Sequence, residues 1–209
     1  CNFKIPDKVP ADFWATKEMT KKLIKYYNVK DKRELLDKLD IDLRYIEGPA
    51  YIGPPLRRKE EGSFEDIWGV WRKKLITPSG EIYKNVTHYP LKDVNTIKEV
   101  ENYSHWPSPD WFDYSKILEQ LRTYPNKATI YSGGRLNRTS QLKAAIYLRG
   151  MQKIIEDMYL NPQILAAILE KIVDFYLEFN KRLFEASANQ LDIFMMGDDF
   201  GMQDNMFFR

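Results

Sequence analysis

Residues 191–203 read LDIFMMGDDFGMQ, six mostly apolar residues that lead into Gly197 and the adjacent carboxylates Asp198 and Asp199. Two neighbouring carboxylates can bind a cation, share a proton or accept hydrogen bonds from a polar substrate. A second exit of the same kind is KATIYSGGR (127–135), a short apolar run that ends in Gly133, Gly134 and Arg135. If both runs are parallel strands, their carboxyl ends converge, and Asp198, Asp199, Gln203 and the Gly133/Gly134 turn should border one cavity. The catalytic residues expected on this reading are Asp198 and Asp199, with Gly133, Gly134, Arg135 and Gln203 contacting substrate. Because adjacent residues at a strand exit diverge, one acid, Asp198, is expected to face inward as a polar ligand to the substrate or a protonated leaving group. The competing arrangement is structural: one acid caps a helix and the other holds an arginine such as Arg135. The same GDD triplet holds metals at a hairpin tip in viral polymerases, but here FGMQDN follows rather than a returning strand.

The other candidates for chemistry are sparse. His88 and His105 are the only histidines and neither has a partner at metal-ligand spacing, and the single cysteine is Cys1. No metal or other cofactor is therefore expected to be bound by this chain itself, and both histidines read as surface or structural. Trp68, Trp71, Trp106 and Trp111 could line a site for a flat ligand, but aromatics in long connections more often pin them to the body of the fold. The cluster LRRKEEG (56–62) mixes both signs and reads as a solvated loop. With 32 basic against 30 acidic residues, a net charge of +2 gives no general attraction to nucleic acid or to an anionic membrane. The longest aliphatic stretch, ILAAIL, falls far short of the roughly 20 residues of a spanning helix. The lack of a cysteine pair makes the cytoplasm the expected compartment.

These residues need elements to hold them. KVPADFW (8–14) reads as a first strand, TKEMTKKLIKYYN (16–28) as a helix, and DKRELLDKLD (31–40) as a helix capped by Asp31 with Glu34 three residues on. DLRYI (42–46) is a second strand. Two β-rich arms around PSG predict an antiparallel hairpin at about 71–88, inserted on the main fold. Thr96 and Glu99 form a capping box, Asp113 is placed to cap a helix over 113–124, and Gly150 to close one over 139–150. Residues 151–160 add a short helix, and 162–188 the longest, with Ile164, Leu165, Ile168, Leu169, Ile172 and Phe175 at helical spacing. LDIFMM then reads as a buried strand. The order of strands and helices is that of a parallel α/β domain, with 1–209 as one unit.

PDKVPADFWAT, EDIWGVW, PLKDVNTIKEVENYSHWPSPDWFDY and DIFMMGDDFGMQ, in this order along the whole chain, resemble the uroporphyrinogen decarboxylase superfamily, nearest to its branch of corrinoid-dependent methyltransferases. The resemblance implies a (β/α)8 TIM barrel, of which these residues would be an N-terminal part, since a complete barrel takes about 250 residues. An open barrel would leave an unpaired sheet edge and favour self-association. The implied function is a corrinoid-linked methyltransferase that moves a methyl group between a corrinoid protein, its partner, and a small-molecule acceptor. Zinc ligands of the His-x-Cys type would lie in the C-terminal half, beyond these residues. The alternative is a decarboxylase acting on a tetrapyrrole or another carboxylate. Against it, ADFWATKEMT lacks the arginines with which true decarboxylases grip their substrate after the first strand. A third reading is an inactive barrel used as a binding module.

Overall fold

The computed structural model describes residues 8–78, 80, 82–133, 136, 139–201 and 203–206. Among them are seven α-helices and eight short strands in three small sheets, none of which closes into a barrel. The fold class is mixed α/β. No described helix is long and apolar enough to cross a membrane.

Three strands, β1 (Leu43–Tyr45), β7 (Ala128–Tyr131) and β8 (Ile193–Phe194), form a parallel sheet in the order β1-β7-β8. Leu43 pairs with Ala128, and Ile130 with Ile193. Parallel neighbours need crossover connections, and β7 reaches β8 through three helices: α5 (Gln141–Arg149), α6 (Met151–Leu160) and α7 (Pro162–Ser187). The amphipathic stripe of α7 explains its role, since Ile164, Ile168, Ile172, Phe175, Phe179 and Leu183 are all buried. Gly150 ends α5 with φ 91°, a conformation costly to a side chain, and lets α6 start at once in a new direction. At that junction the buried Arg149 and Asp157 pair through Nε and Nη2 at 2.8 and 3.2 Å.

The N-terminal helices α1 (Lys17–Tyr26) and α2 (Lys32–Lys38) start at Thr16 and Asp31, whose side chains accept from the amides of Met19 and Glu34. The Thr96/Glu99 capping box opens α3 (Ile97–Glu101) with both reciprocal bonds in place. The predicted hairpin is present as β4 (Trp71–Ile76) and β5 (Ile82–His88), and β3 (Phe64–Glu65) pairs with β4 to make a separate antiparallel sheet. The remaining pair, β2 (Ala50–Tyr51) and β6 (Phe112–Asp113), is antiparallel.

Three local expectations are corrected. Residues 8–14 form no strand. Ala11 exchanges two hydrogen bonds with Asp42, one of them to its carboxylate, and Pro10 has no N–H to extend a ladder. Asp113 does not cap a helix, because it pairs in β6 with Ala50 and accepts from the amide of Ser115, while α4 (Ile117–Arg122) begins at Lys116 without a side-chain cap. LDIFMM is not a buried strand. Only Ile193 and Phe194 pair, and Ile193 and Met196 are 38% and 51% exposed, because β8 has no further neighbour among the described residues and lies at the sheet edge.

Candidate functional site

The acid pair at the exit of β8 is tied to the start of α5. Ser140 stands at the N-cap without making a side-chain cap, and Asp198 supplies that function from 56 residues away. Its Oδ2 accepts from the amide of Leu142 and its Oδ1 from that of Lys143 at 3.0 Å, two of the orphan donors of a helix start. Asp199 forms an ion pair of 3.2 Å with Lys143 Nζ. Of the two arrangements open to the pair, this geometry is the capping one, although the helix is an earlier one rather than the next, and the cation is a lysine rather than an arginine. Gly133 has φ 78° and its carbonyl accepts from Leu136 at 2.6 Å, which bends the chain out of β7 towards α5. Gln203 is exposed, within the turn closed by the Gly201–Met206 bridge. Gly134 and Arg135 lie outside the described residues. The structure thus brings Asp198, Asp199 and the Gly133 turn to the two ends of one connection and leaves Gln203 in solvent.

That connection forms one wall of a cleft of about 690 Å³. Leu136 and Ser140 from the exit of β7, Ala144 and Tyr147 from α5 and Tyr176 from α7 face it. Tyr176 is buried, and its hydroxyl donates towards the carbonyls of Leu136 and Ser140 at 3.3 and 3.4 Å; burial pushes its pKa up, so it stays a neutral donor. Thr139, fully buried just before the helix, has φ 51°. For a β-branched residue this conformation carries a strain of about 1–3 kcal/mol, sustained only where the surroundings fix it.

The opposite wall is the small antiparallel sheet. Arg57 grips the buried Glu65 with two bonds, Nε to Oε2 at 2.9 Å and Nη2 to Oε1 at 2.6 Å, and the arginine holds the Glu65 carboxyl below the usual carboxylate range. His105 Nε2 lies 3.1 Å from Arg57 Nη2, and since a guanidinium only donates, this nitrogen is the acceptor and Nδ1 carries the proton towards Ser104. Asp66 accepts from the amides of Trp68 and Val70 and from Arg72 Nε at 2.7 Å. Burial nevertheless pushes its carboxyl up, outweighing the arginine. The Asp66 turn depends on Gly69, at φ 75°, where a Cβ would stand 2.2 Å from the Tyr103 hydroxyl. Arg72 also lies 4.2 Å from the centre of the Tyr147 ring and so reaches across to α5.

Sequence reasoning missed this wall. LRRKEEG is the exposed loop its composition implies, and within it Arg57 pairs with Glu65 while Arg58 lines the cleft. His105 stands against Arg57 and Glu65, a pairing that connects residues 40 or more apart and leaves no local pattern. The tryptophans behave as packing: Trp68 is buried in the core, with Trp106 and Trp111 packed against it, while Trp71 lies under Lys59 at 4.4 Å. Among the described residues, no group of three His, Cys, Asp or Glu side chains is placed to hold a metal ion. No family model, curated protein or solved structure matches this chain.

Proposed function

We propose that this chain is part of a uroporphyrinogen decarboxylase-like (β/α) barrel and serves as a corrinoid-linked methyltransferase, acting on a small molecule in the cleft. The observation that carries the reading is the placement of that cleft on the connection leaving the carboxyl end of β7, a central strand of a parallel sheet, where barrel enzymes build their sites. The open edge of β8 fits a sheet that continues into further strands, and the motif order in the sequence supports the same family. In this reading the Arg72–Tyr147 contact and the Tyr176 hydroxyl shape the substrate cavity, Asp198 holds α5 in register, and zinc and corrinoid chemistry belong to residues and a partner beyond this chain. The lone cysteine suits a reducing cytoplasm.

A second reading, a decarboxylase of the same superfamily, is favoured by one observation: with Arg57 paired to Glu65 and Arg72 to Asp66, the cleft keeps Arg58 and Lys84 as a surplus of positive charge suited to carboxylates. One experiment separates the two. The protein is incubated with a methylated corrinoid protein and candidate acceptors while the corrinoid absorption spectrum is followed, and in parallel with porphyrinogen carboxylates while released carbon dioxide is measured. Acceptor-dependent loss of the methyl–cobalt spectrum supports methyl transfer, carbon dioxide release alone supports the decarboxylase, and neither leaves a binding module.

A further inference from the structure

The register of the small sheet places an unusual set of side chains on one face. Arg58 bridges Phe64, Phe64 pairs with Arg72, and Lys74 stands directly opposite Lys84. Directly opposed residues in an antiparallel ladder share a face, and so do alternate residues along β4. Arg58, Arg72, Lys74 and Lys84 therefore project to the same side. Arg72 has its carboxylate in Asp66. Among the described residues, no carboxylate lies within ion-pair distance of Arg58, Lys74 or Lys84. Like charges directly opposed across a ladder destabilise it, so the Lys74–Lys84 pair is a cost that the fold itself does not offset.

Arg58 and Lys84 lie where the cleft joins a second hollow of about 610 Å³, and both spaces share Phe64, Ile82 and Tyr83 with them. Lys17 and Glu18 of α1 and Lys74 also line that hollow, so its charge remains positive. Lys84 Nζ lies 5.8 Å from the centre of the Phe64 ring. The neck thus joins unpaired cations to an aromatic and aliphatic surface.

We propose that this neck is a binding site for a small organic anion, a carboxylate or phosphate carried on a flat apolar ring, with the charge between Arg58 and Lys84 and the ring against Phe64 and Ile82. The proposal needs only the cleft and does not rest on methyl transfer or decarboxylation.

The test is calorimetric titration of the chain with benzoate, phenyl phosphate and neutral benzamide at low and moderate salt. One or both anions should bind, benzamide should bind about 10-fold more weakly or worse, and salt should weaken only the anions. The stronger of benzoate and phenyl phosphate identifies the anionic group. Arg58→Gln and Lys84→Gln should each weaken anion binding by about 10-fold, whereas Lys73→Gln, on the opposite face of β4, should leave it unchanged. Bound anion should also raise the melting temperature, and this gain should shrink in Lys84→Gln. Benzamide binding as tightly as benzoate, unchanged binding in both neck variants, no heat with either anion, or tighter binding of a single-stranded oligothymidylate would each overturn the proposal. Because none of these readouts involves turnover, failure of the reaction assays leaves the outcome here independent.

Discussion

Arg149, at the α5–α6 junction, and Arg58, at the neck of the cleft, carry the same guanidinium in opposite circumstances. Arg149 is 2% exposed and fully engaged: two nitrogens hold Asp157, and Nη1 donates to the carbonyls of Leu91, Lys92 and Val94 at 2.6, 3.2 and 2.6 Å. Arg58 is exposed and has no carboxylate partner among the described residues, and two unpaired lysines stand near it. The first region has nothing left to offer a ligand, and the second is built around what it has not yet bound. A buried charge is tolerated only when its donors are used, whereas an exposed one can wait for a partner. The two kinds of arginine should therefore respond in opposite ways to mutation.

The largest effect should come from the closed region. Asp157→Ala strands the buried Arg149 charge and should cost about 3–5 kcal/mol in urea unfolding. Pairing it with Arg149→Met should recover only part of that loss, because the carbonyls of Leu91, Lys92 and Val94 lose their donor. A fully neutral single substitution would break the comparison. Next in size, Asp198→Ala removes a cap from two amides of α5 and should cost about 1–2 kcal/mol. Asp199→Ala, which breaks an exposed lysine pair, should cost about 0–1 kcal/mol by the same measurement.

Smaller again is a pH effect at the cleft wall. The Glu65 carboxyl is depressed by Arg57, so its contribution to stability is present above its unfolded pKa near 4.5 and is lost as pH falls through the lower folded value. Glu65→Gln should flatten the acid-side fall in melting temperature. Asp66 is raised by burial and runs the other way, its contribution present at low pH and lost as pH rises through the raised folded value. Asp66→Asn should therefore steepen that fall, and parallel pH profiles in the two variants would refute the assignment. An effect of opposite sign and similar small size belongs to the open region. Lys84→Gln should stabilise the chain by about 0.2–1 kcal/mol at low salt, less as salt is added, while weakening anion binding. Destabilisation by Lys84→Gln would mean that the lysine pair is satisfied in some other way.

What the sequence made legible follows the range over which each interaction acts. Asp31 and the Thr96/Glu99 box are read from neighbours three residues away, and the helices begin where those residues say. The long α7 and the hairpin declare themselves through periodicity and a turn. Asp198 reaches an amide 56 residues back, and His105 meets an arginine 48 residues back, so neither role has a local signature. Residues 56–62 are the exposed loop their mixed charge implies, but opposite signs close in sequence do not tell which cation is left over. In the fold, Arg57 is drawn to Glu65 in β3 and Arg58 is left over. Proline and side-chain contacts to Asp42 and Tyr45 hold residues 8–14 beside the sheet without a ladder, despite their apolar content.

Just beyond the hairpin the chain is stitched to the helical layer, where Leu91 N–H donates to the Leu148 carbonyl at 2.9 Å and Arg149 gathers the carbonyls of Leu91, Lys92 and Val94. Opening that spot would require unlocking Arg149 from Asp157, and hence loosening α5 and α6 together. Hydrogen exchange should therefore divide the hairpin along its length. The Leu91 amide should exchange only through global unfolding, on the timescale of the core of α7, while ladder amides near Ile76 and Ile82 should exchange through brief local fraying. A wall of the cleft would then be fixed at its base and free to move at its tip without any loss of the fold beneath it.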